Sequence, residues 1–285
     1  MAHEILINVT PQETRVAMLE QGVVQELHVE RASARGLVGN VYLGRVARVL
    51  PGMQSAFLEI GLERAAFLHI ADIWEHRQNG HGSERPIERI LHEGQSLLVQ
   101  VIKDPIGTKG ARLSTQVSLA GRLLVYLPQD SHIGISQRIE DEAERELLRG
   151  KLQTLLPEGL SGGFIIRTMA ETASDREMGA DIEYLTKLWR DLTARAREVP
   201  APALLYQDLS LAQRVLRDMT VDETARVVVD SRETFTRMHE FAQQYTPAVV
   251  DRLEHYQGDR PLFDTGNVEE EIEKALARRV DLKSG

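Results

Sequence analysis

Two phenylalanines and three cationic side chains in the first half of the chain are of types that bind single-stranded nucleic acid. Phe57 and Phe67 each lie in a short apolar run, and Lys103, Lys109 and Arg112 surround a turn further along. Aromatic rings give bases a surface on which to stack, while cations attract the phosphates. The simpler alternatives are that both phenylalanines are core residues, since burying one stabilises a fold by roughly 1.5–3 kcal/mol, and that the lysines belong to a solvated loop.

A second pair, Arg167 and Thr168, ends an apolar run and has the chemistry of a phosphate site. A guanidinium offers a planar fork of donors to phosphate oxygens, and an adjacent hydroxyl adds another donor. By itself an Arg-Thr pair at the end of a strand is a weak signal, because a surface salt bridge uses the same arginine equally well. The pair is therefore a candidate only in the context of its neighbours.

The aromatic and cationic residues fall within a stretch that reads as five short strands. These are residues 40–46, 55–60, 66–69, 95–102 and 112–115, separated by turn residues at 51–52, 61, 80–83 and 107–110. Five short strands with a long loop after the third predict a small OB-type barrel, a fold that binds single-stranded nucleic acid.

The elements on either side of the barrel predict an α+β protein with more than one domain. Three antiparallel strands at 5–9, 14–19 and 23–29 precede the barrel. Three strands cannot close a domain alone, so we expect them to pair with strands elsewhere in the chain.

After the barrel the periodicity alternates between apolar runs and helical stripes. It predicts strands at 119–128, 162–168 and 225–231, and helices at 141–156, 175–197, 209–218, 233–245 and 268–279. The last helix is expected to place Val268, Ile272, Ala275 and Leu276 on its inner side. Trp189 follows Leu185 by four residues, which favours core packing over base stacking.

Composition excludes several classes of function. The 285 residues suit about two domains, and the absence of cysteine excludes disulfides, thiol nucleophiles and Cys-based zinc sites. The first residues lack a basic segment followed by an apolar run, so we expect no signal peptide. No stretch approaches 18 apolar residues, so we expect no membrane span. The lack of cysteine is compatible with a reducing cytoplasm, which is the expected location.

The net charge of −9 is unusual for an RNA-binding protein until it is divided along the chain. Residues 31–125 contain 12 Lys or Arg and 8 Asp or Glu, a local charge of +4, so the rest of the chain carries −13. Phosphate attraction is local and is screened over roughly 8–10 Å. A cationic barrel can therefore bind RNA within an acidic protein.

Two groups of residues contain side chains that can bind metals, but their spacing does not suit a metal site, and we expect none. His69, His76 and His81 fall on different local elements, without paired helical spacing and without a nearby cysteine. The three glutamates at 269–271 are consecutive helical residues, about 100° apart, and cannot converge on one ion.

Three motifs in the barrel resemble the RNA-binding domain named after ribosomal protein S-one. They are residues 44–46, 56–61 and 66–69. The resemblance implies that Phe57 and Phe67 lie on the binding face, with Lys103 and Lys109 beside them and Arg112 close by. It therefore favours a binding role over a core role for both phenylalanines.

The whole chain resembles the amino-terminal part of the RNase E/G family of bacterial endoribonucleases. The distinctive runs are residues 35–42, 48–54, 103–113, 136–140 and 163–168. The G branch is favoured over the E branch because the latter usually carries a long disordered tail, though a fragment of the E branch stays an alternative.

The family resemblance implies a domain plan and a phosphate site. Residues 1–35 and 213–278 would form one structural RNase H-like domain, interrupted by an OB-fold barrel at 36–117 and an α/β 5′-end sensor at 118–212. In the sensor, Arg167 and Thr168 match positions that hold a 5′-monophosphate, with Gly121 and Val125 lining the pocket. The implied ligand is single-stranded RNA with a 5′-monophosphate.

The family's catalytic residues are expected beyond this chain. The resemblance places its Mg²⁺ ligands in a DNase I-like domain that begins at about 279–285, and a Cys-based Zn²⁺ link and a dimerisation domain later still. We therefore expect no catalytic residue here, no cleavage by this chain alone, a monomeric chain, and a homodimer or larger assembly of the full-length enzyme. Two alternatives stay open: a short RNA-binding protein without catalysis, and an active hydrolase with carboxylates that the pattern does not identify.

Overall fold

The structure, a computed structural model, describes residues 3–78, 85–221 and 223–280. Its strands are β1 (His3–Val9), β2 (Glu13–Glu20), β3 (Val23–Arg31), β4 (Val41–Leu50), β5 (Ser55–Glu59), β6 (Ala66–His69), β7 (Ser96–Lys103), β8 (Arg112–Ser114), β9 (Leu119–Ala120), β10 (Leu124–Leu127), β11 (Ile133–Ile135), β12 (Gly163–Ile166), β13 (Ala203–Tyr206), β14 (Thr224–Val229) and β15 (Leu253–His255). Its α-helices are α1 (Trp74–Gln78), α2 (Glu142–Leu155), α3 (Asp175–Glu198), α4 (Leu211–Arg214), α5 (Arg232–Tyr245), α6 (Leu262–Thr265) and α7 (Val268–Ala275).

The chain divides into two compact units. Unit 1 consists of Met1–Arg35 and Leu209–Gly285, and unit 2 of Gly36–Asp208. His81 and residues 281–285, which the sequence assigned to a weak metal group and to the start of a further domain, lie outside the described residues.

Unit 1 contains a five-stranded sheet in the order β15-β14-β1-β2-β3. The three amino-terminal strands form the predicted antiparallel ladder, and β1 pairs in parallel with β14, with Ile5 opposite Val227. The first strands thus find their partners late in the chain, as expected. One face of the sheet buries Leu6 and Ala17 in a core that also contains Phe263 of α6 and Val268 of α7.

Unit 2 contains a closed five-stranded barrel, consistent with the predicted OB-like fold. Strands β4, β5, β6, β8 and β7 are hydrogen-bonded in that order, and pairing of β4 with β7 closes the barrel. Alternate residues of the strands fill the interior, among them Leu58, Leu68 and Val99. The sequence did not predict β13, an additional edge strand of this sheet that pairs with β4.

The second sheet of unit 2 has the order β11-β12-β10-β9, with α2 and α3 in the same unit. The single strand predicted at 119–128 is wrong, because the chain turns at 121–123 and forms the antiparallel pair β9–β10 instead. The predicted helices α2 and α3 are confirmed, and each has a capping side chain, Asp141 and Ser174. Trp189 on α3 is only half-buried rather than a full core residue.

Two helices of unit 1 differ from their predicted form. The helix predicted at 209–218 is α only over α4 and continues as a π-helical turn, Val215–Met219. The last helix ends at Ala275 instead of Arg279, and Leu276, predicted to face inward, is 81% exposed. Val268 of α7 is buried in the core and Ile272 packs against the same core. The helix does not continue past Ala275, since a helical segment without tertiary cover is not stable. No described helix is long and apolar enough to cross a membrane.

Candidate functional site

One face of the barrel carries four of the predicted nucleic-acid-binding residues, in register across neighbouring strands. Phe57 on β5 lies opposite Phe67 on β6, Phe67 lies opposite Arg112 on β8, and Arg112 lies opposite Lys103 on β7. At the other end, Arg48 on β4 lies opposite Phe57. We call these five residues the binding row: two aromatic side chains flanked on both sides by cations.

Two β-bulges place the ends of the row on this face. Val46 is buried and Arg48 exposed, although residues two apart on a regular strand share a face. The register shifts between Val46 and Arg48, and again between Val101 and Lys103. Each shift turns the following cation outward. Sequence reasoning missed Arg48 because the predicted strand ended at residue 46, and continued alternation from Val46 would have pointed Arg48 into the core.

The aromatic part of the row is wider than two rings. The Phe57 and Phe67 ring centroids lie 6.1 Å apart with planes at 62°, an edge-to-face pair, and both side chains are half-buried. The imidazole of His69 lies 6.5 Å from the Phe67 ring. Its Nδ1 accepts the backbone N–H of Ala71 at 3.1 Å, so His69 is held beside the phenylalanines as a third ring.

Arg112 differs from the other cations of the row because it has a carboxylate partner among the described residues. Its Nε donates to Oδ2 of Asp72 at 2.8 Å, and the Asp72 side chain is only 16% exposed. The backbone carbonyl of Asp72 also accepts from Ser114 and Thr115. Asp72 thus orients the guanidinium of Arg112 and neutralises part of its charge.

Lys109 lies outside the row, in the 104–111 loop between β7 and β8, and is exposed. Backbone hydrogen bonds of 3.2 and 3.0 Å between Ile106 and Lys109 close the loop. The next residue, Gly110, must be glycine, because a Cβ there would lie 2.0 Å from the carbonyl oxygen of Ala65. The close approach of Gly110 to the backbone of Ala65 packs the loop against the segment that joins β5 and β6, the strands that carry Phe57 and Phe67.

The second candidate site is formed by the turn between β9 and β10 and the residue after β12. Nη1 of Arg167 donates to the carbonyl oxygens of Gly121 and Arg122, the latter at 3.2 Å. The backbone N–H of Arg167 donates to the carbonyl oxygen of Leu123 at 2.9 Å. Three consecutive carbonyls of what we call the 121–124 turn therefore fix the position of Arg167.

Asp181 on α3 binds the amide groups of the same turn. Its Oδ1 accepts the N–H of Arg122 at 3.0 Å, and its Oδ2 accepts those of Leu123 at 2.9 Å and Leu124 at 2.8 Å. A Cβ at Gly121 would lie 2.4 Å from an oxygen of this carboxylate, so glycine is required there. The sequence reading did not identify Asp181, although a carboxylate in the apolar stripe of a helix is an available signal.

The remaining predicted phosphate ligands, Val125 and Thr168, are both half-buried. Val125 lies in β10 opposite Ile165, and Thr168 begins the short 3₁₀ turn directly after Arg167. Arg122 approaches α3, where its Nη1 lies 3.3 Å from Glu177. Hydrogen bonds from Ser174, together with Arg122 and Lys151, lower the pKa of Glu177 below its ordinary value.

The residues that the structure describes contain no group of three or more His, Asp or Glu placed to hold a metal ion. The sequence contains no cysteine. The described residues therefore do not fit the Mg²⁺ and Zn²⁺ sites that the family resemblance implies for the whole enzyme.

Comparison of the sequence with known protein families identifies one match. The sequence profile described as Ribonuclease E/G family matches residues 118–285, which is more than half of the chain. The chain belongs to the Ribonuclease E/G family. The matched segment includes both halves of the second candidate site, the 121–124 turn and Arg167.

Individual members of the family are similar along the entire chain. Ribonuclease G of Escherichia coli (strain K12) is 50% identical over 100% of this chain and 59% of its own length. Ribonuclease G of Haemophilus influenzae is 47% identical over the same shares. Ribonuclease E of a Nostoc species is 35% identical over 98% of this chain and 40% of its own length. The chain thus spans about 59% of the length of these ribonucleases G.

Proposed function

We propose that this chain is the RNA-recognition part of an endoribonuclease of RNA processing and decay, with rRNA maturation and mRNA turnover as its processes. Family membership and the names Ribonuclease G and Ribonuclease E of its relatives support this proposal. The observation that carries it is the binding row. A barrel does not need a line of aromatic side chains between cations on its outer face in order to fold.

The proposed ligand of the barrel is single-stranded RNA. Bases stack on Phe57 and Phe67, which remain half-exposed although the barrel interior beneath them is filled. The cations at both ends of the row, with Lys109 in the adjoining loop, attract the phosphates on either side of the stacked bases. The same elements carry the excess of positive charge in an otherwise acidic chain.

The proposed ligand of the 121–124 turn is the 5′-monophosphate of the RNA. Among the described residues, Arg167 uses Nη1 for the turn, which leaves its Nε and Nη2 as the edge for two phosphate oxygens. A terminal monophosphate carries nearly two charges at neutral pH and has oxygens that an internal diester lacks. Thr168, Gly121 and Val125 are proposed as the pocket walls.

The deciding experiment compares two RNAs of one sequence, one with a 5′-monophosphate and one with a 5′-hydroxyl, by fluorescence anisotropy. We expect the affinity for the 5′-monophosphate RNA to be about 10- to 150-fold higher than that for the 5′-hydroxyl RNA, the range for a charge-assisted hydrogen bond. Equal affinities would contradict the 5′-end proposal. Absence of binding to either RNA would contradict the RNA-recognition proposal as a whole.

Unit 1 is proposed as an RNase H-like framework without a nuclease site of its own. The mixed sheet β15-β14-β1-β2-β3, assembled from both ends of the chain, supports this assignment. The carboxylate of Asp230 is engaged by the Asn8 amide at 2.6 Å and by the backbone N–H of Val9 at 2.9 Å, an arrangement that uses its oxygens for structure.

The proposal extends to catalysis and assembly, which need separate measurements. We propose that purified 1–285 binds RNA without Mg²⁺-dependent cleavage and is a monomer, while the full-length cytoplasmic enzyme is a homodimer or larger and uses Mg²⁺ and Zn²⁺. Gel analysis of labelled RNA with and without Mg²⁺ tests the first statement, and light scattering tests the second. Cleavage that a point change within 1–285 abolishes would instead support the alternative of an active hydrolase.

A further inference from the structure

Asp181 is a charged residue in an otherwise apolar stripe of α3. Its neighbours on the inner side of the helix, Met178, Ile182 and Leu185, are at most 3% exposed, and Asp181 itself is 7% exposed. Burying a carboxylate is costly unless hydrogen bonds compensate. The three N–H groups of the 121–124 turn provide that compensation.

The turn connects Asp181 to Arg167 through three successive peptide groups. In the first, the carbonyl of Gly121 accepts from Arg167 while the adjoining N–H of Arg122 donates to Asp181. The second peptide group, between Arg122 and Leu123, is arranged in the same way. So is the third, between Leu123 and Leu124, where the backbone N–H of Arg167 is the donor.

All three peptide dipoles therefore point their N–H ends at an anion and their C=O ends at one arginine residue. Hydrogen bonds in such a chain polarise one another, so each end strengthens the other. Without the negative charge of Asp181, the three N–H groups lose the attraction that holds their peptide groups in a common orientation. The carbonyls that hold the guanidinium of Arg167 would then lose their fixed positions.

We infer that Asp181 is a positioning residue for 5′-phosphate recognition: its carboxylate orients the 121–124 turn, which holds Arg167 ready for the phosphate. This inference rests on the proposed function of the turn. Asp181 is not proposed to touch the RNA. Its effect is on Arg167, whose donors are preorganised before the ligand arrives.

The test is Asp181→Asn, measured with the 5′-monophosphate and 5′-hydroxyl RNAs. We expect the preference for the monophosphate to fall by about tenfold or more, with little change in affinity for the 5′-hydroxyl RNA, which the barrel binds. Asp230→Asn in unit 1 is the matched control, because Asp230 also accepts a backbone N–H, at 2.9 Å, and its loss should leave the preference unchanged. A normal preference in Asp181→Asn would overturn the inference, whereas no preference in the unmodified chain would contradict the proposed function instead.

A second variant approaches the same contact from the turn. Gly121→Ala would place a Cβ 2.4 Å from the Asp181 carboxylate, so it should also lose the preference. Since both changes act through one contact, the double variant Gly121→Ala with Asp181→Asn should lose no more than the stronger of the two single variants. Additive losses would show two independent effects and would overturn the inference.

A measurement on the unmodified chain covers the case in which the variants do not fold. The amides of Arg122, Leu123 and Leu124 should be protected from hydrogen exchange in the RNA-free protein, because they are bonded to Asp181. Protection before RNA is added supports a preorganised turn. Rapid exchange of all three amides without RNA, followed by protection when a 5′-monophosphate RNA binds, would overturn it.

Discussion

The two candidate sites of unit 2 differ in the part of the chain that forms them. The binding row consists of side chains that project from neighbouring barrel strands, two of them placed on the outer face by β-bulges. The proposed phosphate site consists of the 121–124 turn, whose carbonyls accept hydrogen bonds from Arg167 and whose amides donate to Asp181. The free-energy effects of substitutions in the row on RNA binding should therefore be local and additive, whereas those of substitutions at the turn should be coupled and non-additive.

Arg167→Ala should have the largest effect, and only on discrimination. It removes the guanidinium that the turn holds, so the preference for 5′-monophosphate RNA should fall by about 10- to 150-fold while binding of 5′-hydroxyl RNA stays unchanged. Anisotropy titrations with both RNAs measure this. Arg167→Lys is the control, because a point charge replaces the planar fork and should restore only a small part of the preference. An unchanged preference in Arg167→Ala would make it an ordinary surface residue.

Phe57→Ala should weaken binding of both RNAs by about 5- to 150-fold, the loss of one stacked base, without changing their ratio. Phe57→Leu separates stacking from packing, since leucine keeps most of the apolar volume and lacks the ring. Both variants should weaken RNA binding and remain folded by circular dichroism. If Phe57→Ala unfolds the chain while Phe57→Leu binds RNA normally, Phe57 is a core residue and the row is not a stacking surface.

Asp72→Asn should tighten RNA binding by about 1.5- to 5-fold, the range of a partly exposed ion pair. The change frees the guanidinium of Arg112, whose Nε lies 2.8 Å from Asp72, for a phosphate. Glu233→Gln, which removes the partner of Arg237 on α5, is the control with the same change in charge. Weaker binding in Asp72→Asn would mean that Asp72 serves mainly to orient Arg112.

Arg48→Ala should have the smallest effect, visible in the salt dependence of RNA binding. Loss of one phosphate contact lowers the slope of log affinity against log salt by about 0.7 for a single strand. Titrations at several salt concentrations measure the slope, with Arg149→Ala on α2 as the control. An unchanged slope would restrict the row to the residues that the sequence predicted.

Strand and helix periodicity predicted most of unit 2. The side chains that are buried there recur at every second position in strands and at every third or fourth position in helices, and this spacing is visible in the sequence. The barrel strands, α2 and α3 follow directly from their apolar patterns. Periodicity failed at 119–128, where a mostly apolar run is broken into β9 and β10 by the turn at 121–123. The break depends on Asp181, some sixty residues later, which binds the turn amides, and no local pattern contains that contact.

The sequence by itself determined the closed barrel and the position of the two phenylalanines on strands, which follow from residue types and spacing that local propensity and hydrophobic burial translate into structure. The family and the pairing of the first strands with late ones were predicted from the resemblance of long sequence runs to a known family. Tertiary structure decided which cations join the row, because two bulges reverse the alternation at Arg48 and Lys103. It also decided how Arg167 is held, because backbone groups of the 121–124 turn carry no sequence signature of their own and are oriented only when Asp181 packs against them.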